Sequence, residues 1–437
     1  MQVIDRLRRR FFSSAMTNAT SRTNWAGNYR YKAAELATPR SMAELQECVA
    51  QAGHCKALGT RHSFQDIADT TGTQISLEHL QGITLDRAAS QVTVEAGVRY
   101  GELAAWLEAQ GYALHNLASL PHISVAGACA TATHGSGLHN GNLATAVAAV
   151  DIVTGDGTIR RFARNENREA FQGAIVSLGA LGVAARLTLD VQPSFQIAQT
   201  VYAGLPFAVL KDHLLDIYGA AYSVSLFTDW REARATQAWV KRRVEAGAQT
   251  AHNAEFFGAR AMAHDVHPIS GHEAVHCTPQ QDAPGPWHER LPHFRLQFTP
   301  SSGAELQTEY FVALEDAYAA LSAVEKLKEQ IAPLLLVSEL RVIAADDWWM
   351  SMNYQRASFA LHFTWKPEWE QVQRVLPAIE AALEPFGVRA HWGKLFTLPP
   401  AKLAARYARI DDFRTLMREC DPKGKFQNAF LAPLASR

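Results

Sequence analysis

Apolar and polar positions along this chain change period repeatedly, and each change marks an element. Leu45 and Val49 lie four apart behind Ser41-Met42-Ala43-Glu44, which predicts a helix over 41–52 opened by a capping box. Ala57-Leu58 is a short apolar run leading into the turn Gly59-Thr60-Arg61-His62-Ser63-Phe64. Val92-Thr93-Val94-Glu95-Ala96 alternates like a strand and stops at Gly97. Leu103, Trp106 and Leu107 then restore helical spacing up to Gly111, a C-cap candidate. Val147 to Val153 predicts a strand that turns at Gly155-Asp156-Gly157, and Val183 to Val191 predicts another ending near Pro193. These short alternating elements define an α+β domain closing near residue 193. Beyond it, apolar strands are expected at 222–228, 295–299, 308–313, 334–343 and 358–365, with helices near 315–330 and 368–384. A Gly/Pro/His-rich stretch, 264–293, is expected to be a long surface loop. The segment 399–437 carries a further helix and then Asp421 to Asn428.

Two of these strands carry polar groups in a pattern that needs explaining. Leu334 to Ile343 is apolar except near Ser338, Glu339 and Arg341, and residues two apart on a strand share a face. Opposite charges inside such a run are costly unless they pair or meet a polar ligand, so the run holds either a structural ion pair or a polar site. In Phe359 to Trp365 the bulky apolar residues occupy alternate positions and leave His362 and Thr364 together on the other face. A lone strand histidine is commonly structural, but two such strands point to one polar pocket.

Small residues set the second pattern. The turn 59–64 would let the backbone pass close to a ligand while His62 projects from a bend. By itself it reads first as an ordinary strand-end turn with a surface histidine. The segment 119–137 contains Ser119, Ser124, Gly127, Gly135, Ser136 and Gly137, and such residues can offer amides and hydroxyls to a pyrophosphate. It matches neither GxGxxG nor GxxxxGK[ST], and a flexible connection would look similar. His391-Trp392-Gly393-Lys394 adds a cation beside an aromatic ring, which alone could be a solvated lysine. The histidines 264, 267, 272 and 276 with Cys277 follow no zinc spacing, and no metal is expected.

Composition narrows the classes. Of the 437 residues, 48% are hydrophobic and 19% charged, enough for two or three cored domains rather than a disordered chain. A formal net charge of −1 gives no footprint for nucleic acid or an anionic membrane surface, and no apolar run is long enough to span a bilayer. Five scattered cysteines without a CxxC argue against a disulfide framework and for a reducing compartment, so a cytoplasmic location is expected. Arg6, Arg8, Arg9 and Arg10 precede Phe11 and Phe12, as in a twin-arginine signal. The polar residues that follow supply no apolar core, so residues 1–23 are expected to be a disordered extension, and Met16 is a second candidate start.

Read together, the stretches Leu58 to Phe64, Ala118 to Gly137, Ser223 to Trp230, Gly285 to Glu309 and His391 to Phe396 resemble the alditol oxidases of the vanillyl-alcohol oxidase-type flavoproteins. The likeness runs from about Asn24 to Phe430. It implies an α+β fold in which a two-subdomain FAD-binding domain, 24–193, meets an α+β substrate cap, 194–395, and 396–437 returns to the first domain. It implies FAD attached covalently through His62 to the 8α-methyl carbon. Ala57, Leu58, Gly59, Thr60, Arg61, Ser63, Ser119, Ser124, Gly127, Thr131, Ala132, Thr133 and His134 would surround the cofactor, with Val183 and His391 nearby. Ser119, Glu339, Arg341, Thr364 and Lys394 match polyol-holding positions, and His362 would sit beside the reacting hydroxyl. Arg61 replaces a glycine found before this histidine in many related oxidases, which puts the local loop geometry in question.

The expected reaction is oxidation of a terminal hydroxyl of a sugar alcohol such as xylitol or sorbitol. Hydride would pass to the flavin, the proton toward His362 with Lys394 stabilising the alkoxide, and oxygen would become hydrogen peroxide. The expected partners are therefore a small polyol and oxygen, with no nucleic acid or membrane, and the chain is expected to act as a monomer. The rivals are a sugar-lactone oxidase or dehydrogenase on the same scaffold, a non-catalytic carbohydrate-binding flavoprotein, and a zinc hydrolase built on the 264–277 histidines.

Overall fold

The computed structural model describes residues 22–245, 253–296 and 304–435. The basic cluster at 6–10 lies outside them, as does most of the strand expected at 295–299. Among the described residues the strands form four sheets. Strands Glu35–Ala37, Cys55–Leu58 and Thr73–Ser76 pair in parallel. Ile83–Asp86, Gln91–Glu95, Val183–Asp190, Val147–Val153 and Ile159–Ala163 make an antiparallel five-stranded sheet. A two-stranded pair, Tyr112–Ala113 with Gln192–Pro193, closes this part of the chain. From Gln196 onward the strands belong to one large antiparallel sheet.

The local chemistry accounts for the ends of these elements. Helix Met42–Gln51 buries Leu45 and Val49, and Ser41 Oγ accepts from the Glu44 amide at 3.2 Å. The returning bond differs from the expected box: Glu44 Oε2 accepts from the Arg40 amide rather than the cap's own. Helix Tyr100–Ala109 ends before Gly111, whose φ of +82° is easy only for glycine. The helix expected over 315–330 is two pieces, Ala317–Glu325 and Lys328–Ile331.

The large sheet runs Gln196–Pro206, Arg234–Val244, Ser223–Thr228, Leu335–Ile343, Ser358–Trp365, Leu306–Ala313, with short strands beyond both edges. Its register sets the chemistry. Glu339 pairs with His362, and His362 with Glu309, so three polar residues on three adjacent strands stand in one row. Val337, Thr364 and Gln307 form the row beside it.

The stretch 264–293 is not the surface loop expected from its glycines and prolines. Cys277, Thr278, Gln280, Trp287, Leu291 and His293 are buried. A small second core, Val201, Phe227, Trp239, Cys277 and Val337, joins the stretch to the large sheet, with Val266, Ile269 and Phe294 packed against it. Burial of those side chains outweighs the freedom that its turn residues would allow. Arg295 and Leu296, the described part of the strand expected there, are not in a strand.

The C-terminal segment carries helices Pro400–Ala404 and Ile410–Cys420 and then packs on the first residues of the fold. Lys425 Nζ donates to the carbonyls of Val49 and Ala50, and Asn428 Nδ2 to those of Asp66, Ile67 and Asp69. Among the described residues no helix is long and apolar enough to cross a membrane.

Candidate active site

A cavity of about 550 Å³ lies between the small-residue segments and the polar rows of the large sheet. One end is backbone. The N–H groups of residues 59–63 find no acceptor among the described residues, nor do those of Ser119, Leu120, His122 and Ile123. Amides in such a lining call for a ligand with oxygen acceptors. Gly59 and Gly127 flank Ser124, and a Cβ on either would stand 2.7 or 2.9 Å from its Oγ, so the turn at 59 and the segment 124–127 touch with no room for side chains. Ser124 also donates its N–H to Thr60 Oγ1 at 3.2 Å.

His62 lines this cavity. Its ring stacks on Trp25 with centroids 5.2 Å apart, and Nδ1 lies 3.1 Å from Thr60 Oγ1. Burial, assisted by His122, pushes its pKa down to about 4, so the imidazole is neutral and keeps a lone pair. The turn is tied to the Lys394 segment, because the Phe64 amide donates to the Gly393 carbonyl at 2.8 Å.

The other end is charged. Glu309 is fully enclosed by Arg341 Nη2 at 2.5 Å, Lys394 Nζ at 2.9 Å and His134 Nε2 at 3.3 Å. Glu339 receives His293 Nε2 at 2.8 Å and stands 3.6 Å from Arg341 Nε. Burial acts to raise both carboxyls, yet Arg341 leads the opposing charges and holds both below the usual range. Burial pulls Lys394 down from its ordinary value, and Glu309 resists that shift. Two carboxylates and two cations thus balance in one buried cluster.

His362 sits in the middle of it. Gln307 Nε2 donates to Glu305 Oε1 at 2.6 Å, which assigns the other amide atom as oxygen, and that oxygen lies 3.2 Å from His362 Nε2. Nε2 therefore carries the proton. Nδ1 is the basic nitrogen and has no hydrogen-bond partner among the described residues. Burial, with Lys394 next, depresses this imidazole well below its ordinary pKa.

Of the residues expected at the site, Ala57 to Ser63, Ser119, Ser124, Gly127, Thr131, Thr133, His134, Glu339, Arg341, His362, Thr364, His391 and Lys394 all line the cavity. Ala132 and Val183 do not, although Gly182 and Ala184 on either side of Val183 do. Glu309, Gln307 and His293 line it as well and were not anticipated. Glu309 is the one charge in the apolar strand Leu306–Ala313, the same signal that marks Glu339 and Arg341. His293 had no such signal, because its burial depends on a stretch without periodicity. His134, Glu309 and His391 are the one set of ligand atoms close enough for a metal among the described residues. Glu309 is already neutralised by two cations, which leaves little charge to hold a divalent ion. The 264–277 histidines form no such set.

A family profile described as an FAD binding domain matches residues 33–163, and one described as D-arabinono-1,4-lactone oxidase matches 304–434. Cholesterol oxidase from B. sterolicum superimposes with a TM-score of 0.77 at 13% identity, covering 95% of this chain and 96% of its own. Xylooligosaccharide oxidase from Myceliophthora thermophila C1 gives 0.73 at 14%, covering 95% of each. The fold and cavity define an FAD-dependent oxidoreductase of the vanillyl-alcohol oxidase type. Among curated proteins, an alditol oxidase of Streptomyces sp. is 47% identical over 95% of this chain and 99% of its own length. An L-gulono-1,4-lactone dehydrogenase of Mycobacterium tuberculosis is 27% identical over 93% and 97%. The chain belongs to the alditol oxidase family. The unpaired amides, the glycine-lined contact with Ser124 and the neutral His62 fit a dinucleotide whose phosphates need donors.

Proposed function

We propose that this protein oxidises the terminal hydroxyl of an acyclic sugar alcohol, xylitol and sorbitol among them, to the aldose, with oxygen reduced to hydrogen peroxide. When bound, FAD supplies the hydride acceptor and returns the electrons to oxygen. The observation that carries the proposal is the balanced buried cluster of Glu309, Glu339, Arg341 and Lys394 at the end of the cavity. A substrate covered with hydroxyls but without charge can exchange hydrogen bonds with fixed donors and acceptors there without upsetting that balance. In this reading Glu339 accepts from hydroxyls, and Arg341, Lys394, Thr364 and Ser119 donate. His362 takes the hydroxyl proton while Lys394 stabilises the developing alkoxide. The name of the 47%-identical relative supports the same substrate class.

A substrate panel with peroxide detection tests this. Alditols are expected to exceed L-gulono-1,4-lactone in kcat/KM, and the reverse order would move the protein to the lactone-oxidising branch of the scaffold. The proposal includes covalent attachment of FAD through His62, supported by a neutral imidazole in the cavity next to unpaired amides. After acid precipitation the yellow colour should stay with the peptide containing His62, and flavin free in the supernatant would reject the bond. A cytoplasmic location is part of the proposal and rests on the scattered free cysteines.

A further inference from the structure

We propose that His293 and Lys241 are positioning residues for substrate recognition: together they fix Glu339 as a hydroxyl acceptor with one oxygen occupied and the other open. The inference rests on the polyol reading above, in which Glu339 holds substrate hydroxyls.

The argument is one of donors and acceptors. Lys241 is fully buried in strand Arg234–Val244, and its Nζ reaches the carbonyls of Leu291 and Pro292 and, at 3.2 Å, Nδ1 of His293. The tautomer of His293 follows from its other side: Glu339 is an ionised carboxylate that can only accept, so the proton sits on Nε2 and Nδ1 is left as an acceptor. Burial lowers the Lys241 pKa to about 7, and as ammonium or as amine its Nζ has a proton for Nδ1. Nε2 then donates to Glu339 Oε1 at 2.8 Å. Glu339 keeps Oε2, whose nearest protein donor is Arg341 Nε at 3.6 Å, beyond a good hydrogen bond.

The ring that makes this contact cannot swing away. Phe227 and Trp239 pack against it in T-shaped contacts, at centroid distances of 5.3 and 5.0 Å. Its backbone is tied down too, as Thr278 donates through its amide to the His293 carbonyl at 2.9 Å and through Oγ1 to the Pro292 carbonyl at 2.8 Å. Burial pushes His293 down to about 4, so it stays neutral and donates a single proton. The stretch 264–293 thereby contributes to the active site by orienting Glu339 as well as by lining the cavity with His267, Ile269, His272 and His293.

Steady-state kinetics on flavin-loaded protein with xylitol test the proposal. His293→Leu removes the donor, and KM should rise roughly 10- to 100-fold, as for loss of a hydrogen bond to a charged group, with kcat changed far less. His293→Gln restores an N–H donor toward Glu339 and should recover most of that KM. Lys241→Met removes the donor that holds Nδ1 in place and should raise KM in the same direction, and it gives the comparison if His293→Leu does not load flavin. A flavin-loaded His293→Leu or Lys241→Met enzyme with KM within threefold of wild type overturns the proposal, as does His293→Gln performing no better than His293→Leu. Wild-type protein inactive on xylitol and sorbitol would instead reject the polyol reading.

Discussion

His362 combines burial, a fixed tautomer and one unpartnered nitrogen, and each has a separate cause. The bulky side chains alternating with it bury the strand, Gln307 fixes the tautomer, and no described residue pairs with the buried Nδ1. Its removal should therefore affect the chemical step more than binding. His362→Phe is expected to lower the anaerobic rate of flavin reduction roughly 10²- to 10⁴-fold, the usual range for a general base, with KM changed only a few-fold. An unaltered reduction rate would hand the proton to another group. Arg61 poses the opposite case, a residue held against its preference. Its φ is +64°, in the left-handed region that a side chain makes unfavourable by about 1–2 kcal/mol. Arg61→Gly relieves that strain but gives the unfolded chain more freedom, which returns about 0.5–1 kcal/mol. The net expectation is a gain of up to about 1.5 kcal/mol with FAD still bound, read as a higher Tm. A lower Tm would mean that the guanidinium makes an attachment worth more than the strain.

At the scale of strands, the site is a consequence of register. Period-two alternation is enough to put Glu339 with Arg341, and His362 with Thr364, on common faces, because a strand's geometry makes that local. Which strands lie side by side is set by packing between segments tens of residues apart, and no local pattern encodes it. For that reason the row Glu309, His362, Glu339 was not legible, even though all three residues stood in predicted strands. The strands Gln196–Pro206 and Arg234–Val244 escaped for a related cause. Their runs carry Gln, Thr, Lys and Arg at positions that are buried or half-buried by neighbouring strands, so alternation is blurred. The 264–293 stretch misled in the other direction, since turn residues are poor guides to burial once a second core covers them. The row also predicts how strongly Glu309 is needed. Glu309→Gln leaves Arg341 and Lys394 with only Glu339 to balance them, in a buried cluster where an unpaired charge costs about 3–5 kcal/mol. Denaturant unfolding should show a loss of that order. A loss under about 1 kcal/mol would mean that water reaches the cluster and screens it.

Across the whole molecule, the separation of neutral histidines from ionised carboxylates makes stability depend on acid in a defined window. Burial leads the causes that lower the pKa of His134, His293, His362 and His391, with His293 at about 4. In the unfolded chain these rings titrate near 6.5. Above that pH both states are neutral, and the histidines favour neither. As pH falls from about 6.5 toward 4 the unfolded chain binds protons that the folded chain refuses, so stability drops by up to about 1.4 kcal/mol per pH unit for each ring. The carboxylates act lower down. Glu309 and Glu339 are held below their ordinary pKa, so their stabilisation is complete above about 4.3 and begins to fade only beneath it. Between pH 6.5 and 4.5 the histidines should therefore dominate, and calorimetric Tm should fall steadily over that interval while changing little from pH 7 to 8. A Tm that holds level down to pH 5 would require these rings to take up protons inside the folded protein. In that case His362 would be charged before it met a substrate, and it could not serve as the proton acceptor.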